Sequence, residues 1–146
     1  MKTILCVVDL GEGCVTVLDV AARIATACGA HLHVLYAYRL IDHDHRENMT
    51  ALRKELESRA AEKFRELRKT IPALAAATCE FQAEIGFMSD RIHAYLNQQT
   101  PDMIVIGQDQ LDDLNDGRHP NMPELIREIR IPFVLVPAEI RTPAGV

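Results

Sequence analysis

A chain of 146 residues with 48% hydrophobic and 25% charged residues has the composition of one ordinary globular domain, which excludes a disordered chain and a long coiled coil. The formal net charge of −5 repels polyanions, and the absence of Trp with only 5% aromatic residues removes the stacking surface that single-stranded nucleic acid requires, so no nucleic-acid partner is expected. No apolar run approaches the roughly 18 residues of a membrane span, and Met1-Lys2-Thr3 leads directly into a short strand rather than a secretory h-region, so no membrane partner and a cytoplasmic location are expected.

Ile4-Leu5-Cys6-Val7-Val8 is a continuous apolar run, the pattern of a strand buried on both faces, and Asp9-Leu10-Gly11 ends it in a turn. From Cys14 to Cys28, Val17, Leu18, Ala21, Ala22, Ile24 and Ala25 recur at steps of three and four, and Gly29 supplies a stop, which predicts the first crossover helix. His31 to Tyr38 forms the second strand. After Asp42-His43-Asp44-His45 comes the longest helix, with Leu52, Leu56, Ala60, Phe64, Leu67 and Ile71 on one stripe, expected to stop at Pro72.

Cys79, Phe81, Ala83 and Ile85 alternate with Glu80, Gln82 and Glu84, a period of two that implies one wet face and a place at the edge of a sheet. Ser89 is a candidate cap for a third helix carrying Ile92, Tyr95 and Leu96 and ending before Pro101. Met103 to Ile106 is the fourth strand. A polar loop from Gly107 to Asn121 follows, then a short helix through Leu125, Ile126 and Ile129, then Phe133-Val134-Leu135-Val136 between Pro132 and Pro137. Five strands alternating with four helices over 1–146 predict a single α/β domain with a doubly wound parallel sheet of Rossmann-like, three-layer form. In such sheets ligands bind beyond the carboxyl ends of the strands, here at Asp9-Leu10-Gly11 and from Gly107 onward.

The four cysteines, Cys6, Cys14, Cys28 and Cys79, form no C-x-x-C pair and no zinc-like spacing, and each is expected as a reduced thiol on an element's buried face. Cys14, near the start of the first helix, is the one whose pKa the helix dipole would lower.

The closing Val8-Asp9 of the first strand, AARIATACGAHLHVLYAY across the first crossover, DMIVIG and the terminal IPFVLVP together resemble the universal stress protein family over nearly the whole chain. The resemblance implies a flavodoxin-like sheet in the order 3-2-1-4-5, common dimerisation, and a role in stress response rather than established catalysis. Nucleotide-binding members carry Gly-x2-Gly-x9-Gly followed by Ser or Thr after the fourth strand, where the glycines let backbone amides close on phosphates. Here Gly107 keeps the first position, while Gln110, Pro120 and Asn121 hold the others, or His119 and Pro120 if the loop is shortened by one. Asp109, Asp112, Asp113 and Asp116 crowd the same loop with Arg118 as the nearby offset, which is adverse to a triphosphate without bridging cations. Asp9 matches the family position that contacts the adenosine part of a nucleotide; its alternative role is to close the turn on its own backbone.

Other constellations read as structural. Asp116-Gly117 imitates part of an EF-hand loop, but Leu114 replaces a ligand and Pro123 stands where the closing Glu is needed. His31 and His33 share one side of their strand, and His43 and His45 would pair if extended, yet no helix-borne metal motif accompanies them and no metal site is expected. The only serines, Ser58 in the long helix and Ser89 at a cap, offer no nucleophile elbow, and Asp112-Asp113 lies in an open loop, so an enzyme is not expected.

The reading is of a stress-response protein acting as a dimeric binding or regulatory module, with no cofactor and no Gly-loop ATP binding. A second copy is expected to pair through Phe133, Val134, Leu135 and Val136, whose run carries no Lys, Glu or internal Pro to block edge pairing. A protein partner or small ligand would complete its action. The alternative is an adenine-nucleotide sensor that holds ATP, ADP or AMP with Mg through Asp9 and Gly107.

Overall fold

Ile4, Leu5, Cys6, Val7 and Val8 have no exposed surface, because β1 (Thr3–Val8) is the middle strand and is covered by helices on both faces. The structure is a computed structural model, and it describes residues 1–39, 49–110 and 122–141. Strands β2 (His31–Tyr38) and β3 (Cys79–Ile85) lie to one side of β1, and β4 (Met103–Gly107) and β5 (Phe133–Val136) to the other. All four neighbouring pairs are parallel, in the order β3-β2-β1-β4-β5. The expected sheet order is therefore present, and both β3 and β5 are edge strands.

Alternate residues of β1 feed two separate cores. Ile4, Cys6 and Val8 pack with α1 (Cys14–Cys28), α2 (Met49–Thr70) and α3 (Pro72–Ala76), through Leu18, Ala21, Phe64 and Leu74 among others. Leu5 and Val7 pack on the opposite face with α4 (Met88–Gln98) and α5 (Met122–Ile129), through Ile92, Tyr95 and Leu125. Among the described residues no helix is long and apolar enough to cross a membrane.

Gly29 takes φ of 64° and its N–H bonds to the carbonyls of Ala25 and Thr26, so α1 ends in the left-handed turn that glycine adopts without strain. In α2 the buried side carries Ala60 and Phe64, and Phe64 stacks on Phe81 of β3 with centroids 4.6 Å apart.

The long helix α2 ends at Thr70, before Pro72 as expected, with Ile71 extended, and Pro72 then opens the separate short helix α3, where its missing N–H costs nothing. Two local expectations are corrected. Ser89 is not a cap, since α4 starts a residue earlier after Phe87 with no side-chain cap hydrogen bond, and Ser89 is buried inside the first turn. Only Cys6 and Cys14 are buried; Cys79 is half-buried on the edge strand, and Cys28 is exposed in the last turn of α1.

Candidate functional site

The chain leaves β1 to cross one face of the sheet and leaves β4 to cross the other, so a crevice opens between the carboxyl ends of these adjacent strands. Asp9, Gly13 and Cys14 line it from the β1–α1 side, and Gly107, Asp109 and Gln110 from the β4 side. The structure thus brings Asp9 and Gly107 together, as expected. The crevice is partly open and its inner space is small, about 30 Å3.

Each wall is held by identifiable bonds. The Gly11 N–H donates to Asp9 Oδ1 at 2.8 Å, so Asp9 does close the turn on its own backbone. Leu10 adopts φ of 61°, and its carbonyl accepts from Lys63 Nζ of α2 at 2.7 Å, tying this turn to the helix layer. Gly107 packs closely against α1: a Cβ there would stand 3.0 Å from Val17 Cγ2, so a larger residue would need Val17 to give way. On the β5 side of the crevice, Thr16 Oγ1 donates to the carbonyl of Ala138, which lines it, at 2.8 Å and anchors the segment after β5 against α1.

Gln110, which occupies the second glycine position of the phosphate-loop pattern, ends a single 3-10 turn (Gln108–Gln110) and is buried. Its Oε1 accepts the Gly107 N–H at 3.2 Å. The amide at the mouth of the loop is thereby satisfied from within the protein. Asp109 leans to the other side, where a Cβ on Gly13 would lie 3.4 Å from its Oδ2, so a carboxylate already stands beside the start of α1, the place where a helix favours an anion. Asp112, Asp113 and Asp116, with Leu114, Gly117, Arg118, His119, Pro120 and Asn121, lie outside the described residues, as do His43 and His45.

Burial raises the pKa of Cys14; Lys63 opposes that shift and Asp9 reinforces it, so the expectation of an acidified thiol at a helix start is overturned by desolvation. Burial raises Tyr36 as well, with Asp9 adding to it, which places this phenol within the field of the crevice. Tyr36 stacks on Tyr38 at 5.7 Å, and the Tyr38 hydroxyl donates to Glu57 of α2 at 2.6 Å; the pair is occupied with the helix layer. Burial first, then the bond to Glu57, pushes Tyr38 up to about 12.

Two features escaped the sequence reading. Asp102 accepts the N–H groups of Lys2 at 2.7 Å and Thr3 at 3.0 Å, and those bonds hold its carboxyl below the ordinary range while joining the starts of β1 and β4. Glu80 of β3 lies opposite His33 in register, beside both strand histidines. Neither spacing is visible locally, because the partners are separated by whole crossovers.

A five-stranded parallel sheet with its crevice at the switch point defines the doubly wound class of α/β protein. The sequence profile described as the universal stress protein family matches residues 1–137, and the chain belongs to that family. Among solved structures it is similar to a universal stress protein in complex with cAMP, at 19% identity and a TM-score of 0.66 over 94% of this chain and 98% of that one. The universal stress protein UspA from Lactobacillus plantarum is similar at 18% identity and TM-score 0.65, covering 92% and 97%. A family protein from Arabidopsis thaliana with AMP bound is similar at 13% identity and TM-score 0.63, covering 99% and 97%. No curated protein matches the chain.

Proposed function

We propose that this chain is a cytoplasmic stress-response module that acts by binding, without catalysis, as a homodimer paired through β5, and that it does not use a Gly-loop to hold ATP. The carrying observation is Gln110: its buried carboxamide takes the Gly107 N–H that a phosphate would need, and the carboxylates of Asp9 and Asp109 line the same crevice. The exposed carboxylates of Asp9 and Asp109 add repulsion toward a triphosphate, and no glycine at position 110 lets the backbone approach it. Titration calorimetry with ATP and magnesium tests this. Wild-type protein should give no saturable micromolar binding, and Gln110→Gly, which removes the internal acceptor, should bind nucleotide more tightly than wild type.

A second reading, an adenine-nucleotide sensor, is favoured by the relatives solved with cAMP and with AMP and by the meeting of Asp9 with Gly107 in one crevice. Here a monophosphate would place its adenosine part against Asp9. Mass spectrometry of small molecules released from freshly purified protein separates the two: recovered AMP, ADP or ATP supports the sensor, and a different ligand or a protein partner supports the first reading.

A further inference from the structure

We propose that His31, His33 and Glu80 form a binding site for one divalent transition-metal ion of the zinc class, at the β2–β3 edge of the sheet and away from the switch-point crevice. One potential ligand atom from each residue lies within 4.8 Å of the other two. The Nε2 atoms of His31 and His33 stand 3.6 and 3.7 Å from the two Glu80 oxygens. Zinc bonds of about 2.0–2.1 Å in a tetrahedron set donors roughly 3.3 Å apart, so the arrangement has to contract by only a fraction of an ångström to about 1.5 Å. The Glu80 side chain is 70% exposed, so it is free to swing inward.

Two observations favour a metal over a plain ion pair. First, His31 Nε2 has almost no solvent contact and no hydrogen-bond partner, and the nearest carboxylate oxygen is too distant to serve as one. Second, His33 Nδ1 lies 2.6 Å from the Tyr95 hydroxyl of α4; a metal on Nε2 leaves the proton on Nδ1, which then donates to Tyr95 and fixes the ring. A recess of about 180 Å3, lined in part by His33, Glu80, Gln82 and Tyr95, adjoins the donors and has room for the water that would complete coordination. Two histidines and one carboxylate with an open position suit zinc, and cobalt(II) as its spectroscopic substitute.

The test uses the full-length, metal-free chain titrated with zinc chloride, and separately with cobalt(II) chloride. The expected result is one ion per chain and visible cobalt absorption of the tetrahedral type. Tyr95→Phe, which leaves all donors in place, should weaken affinity by roughly 10–100-fold. Glu80→Gln should weaken it at least about tenfold, with the metal-free melting temperature unchanged because the side chain is exposed. His43→Ala with His45→Ala should leave binding as in wild type. The proposal is overturned if the chain binds no zinc, or if zinc binding survives both Glu80→Gln and His31→Ala or disappears in the His43→Ala, His45→Ala variant.

Discussion

Arg130 and Leu10 are the two non-glycine residues with positive φ among the described residues, at 57° and 61°, and the balance of forces at each is opposite. Arg130 is exposed just beyond α5, where its N–H bonds to the Ile126 carbonyl, a helix-ending position that glycine fills without strain. Arg130→Gly should therefore raise stability by about 0.5–1 kcal/mol after the added chain entropy, a melting shift of roughly 1–4 °C upward. Leu10 is 7% exposed and belongs to the core. Removing its side chain gives up about 1.5–3 kcal/mol of burial against about 1–2 kcal/mol of relieved strain, so Leu10→Gly should lower the melting temperature. A rise for Leu10→Gly in thermal denaturation would contradict this ranking. At the same scale, the family resemblance marked Asp9 and Gly107 as candidates, and the fold brings both to the crevice. The action of Gln110 was not legible, because a missing glycine in a sequence does not reveal that the replacing side chain folds back onto the Gly107 amide.

The elements themselves were readable where hydrophobic period and burial agree. The unbroken apolar run of β1 and the alternation of β3 correctly separated the central strand from the edge. Pro72 marked the end of the long helix but not the short helix that begins on it, because proline fits a first turn as well as a stop, and Ser89 misled because serine can be buried within a first turn instead of capping it. Strand β5 has both the edge position and the apolar run that dimerisation through Phe133 to Val136 requires, and Leu135 is 39% exposed. Val134→Lys should shift the sedimentation profile from dimer to monomer, since an edge lysine opposes strand pairing. Val134 also packs against the core, so Leu135→Lys, at the exposed position, should give the same shift without the same loss of packing. An unchanged monomeric species before and after both substitutions would rule out pairing by this edge.

At the scale of the whole molecule, pH acts on stability through groups whose pKa changes on folding. Burial, with His31 adding to it and Glu80 opposing it, sets His33 below its ordinary value. The unfolded chain then takes up the proton first, so this contribution is intact above the ordinary imidazole value of about 6.5 and is lost as pH falls through the lowered folded value. Asp102, held down by the Lys2 and Thr3 amides, acts at more acidic pH: its contribution is present above the ordinary carboxylate value and lost below it. Melting temperatures followed downward from pH 7 should fall in wild type before carboxylates titrate, and His33→Gln should flatten that first decline. An identical slope in both proteins would show that His33 does not carry it.

The absence of Gly-loop ATP binding is tested most directly by calorimetric titration of the purified chain with ATP and magnesium at neutral pH. Micromolar binding needs about −8 kcal/mol, and each charge-assisted phosphate bond denied by the occupied Gly107 amide forgoes roughly 1.5–3 kcal/mol, with the Asp9 and Asp109 carboxylates adding repulsion. The account predicts no saturable heat in the micromolar range. Saturable micromolar binding that disappears in Asp9→Ala would contradict it and make the crevice a nucleotide site.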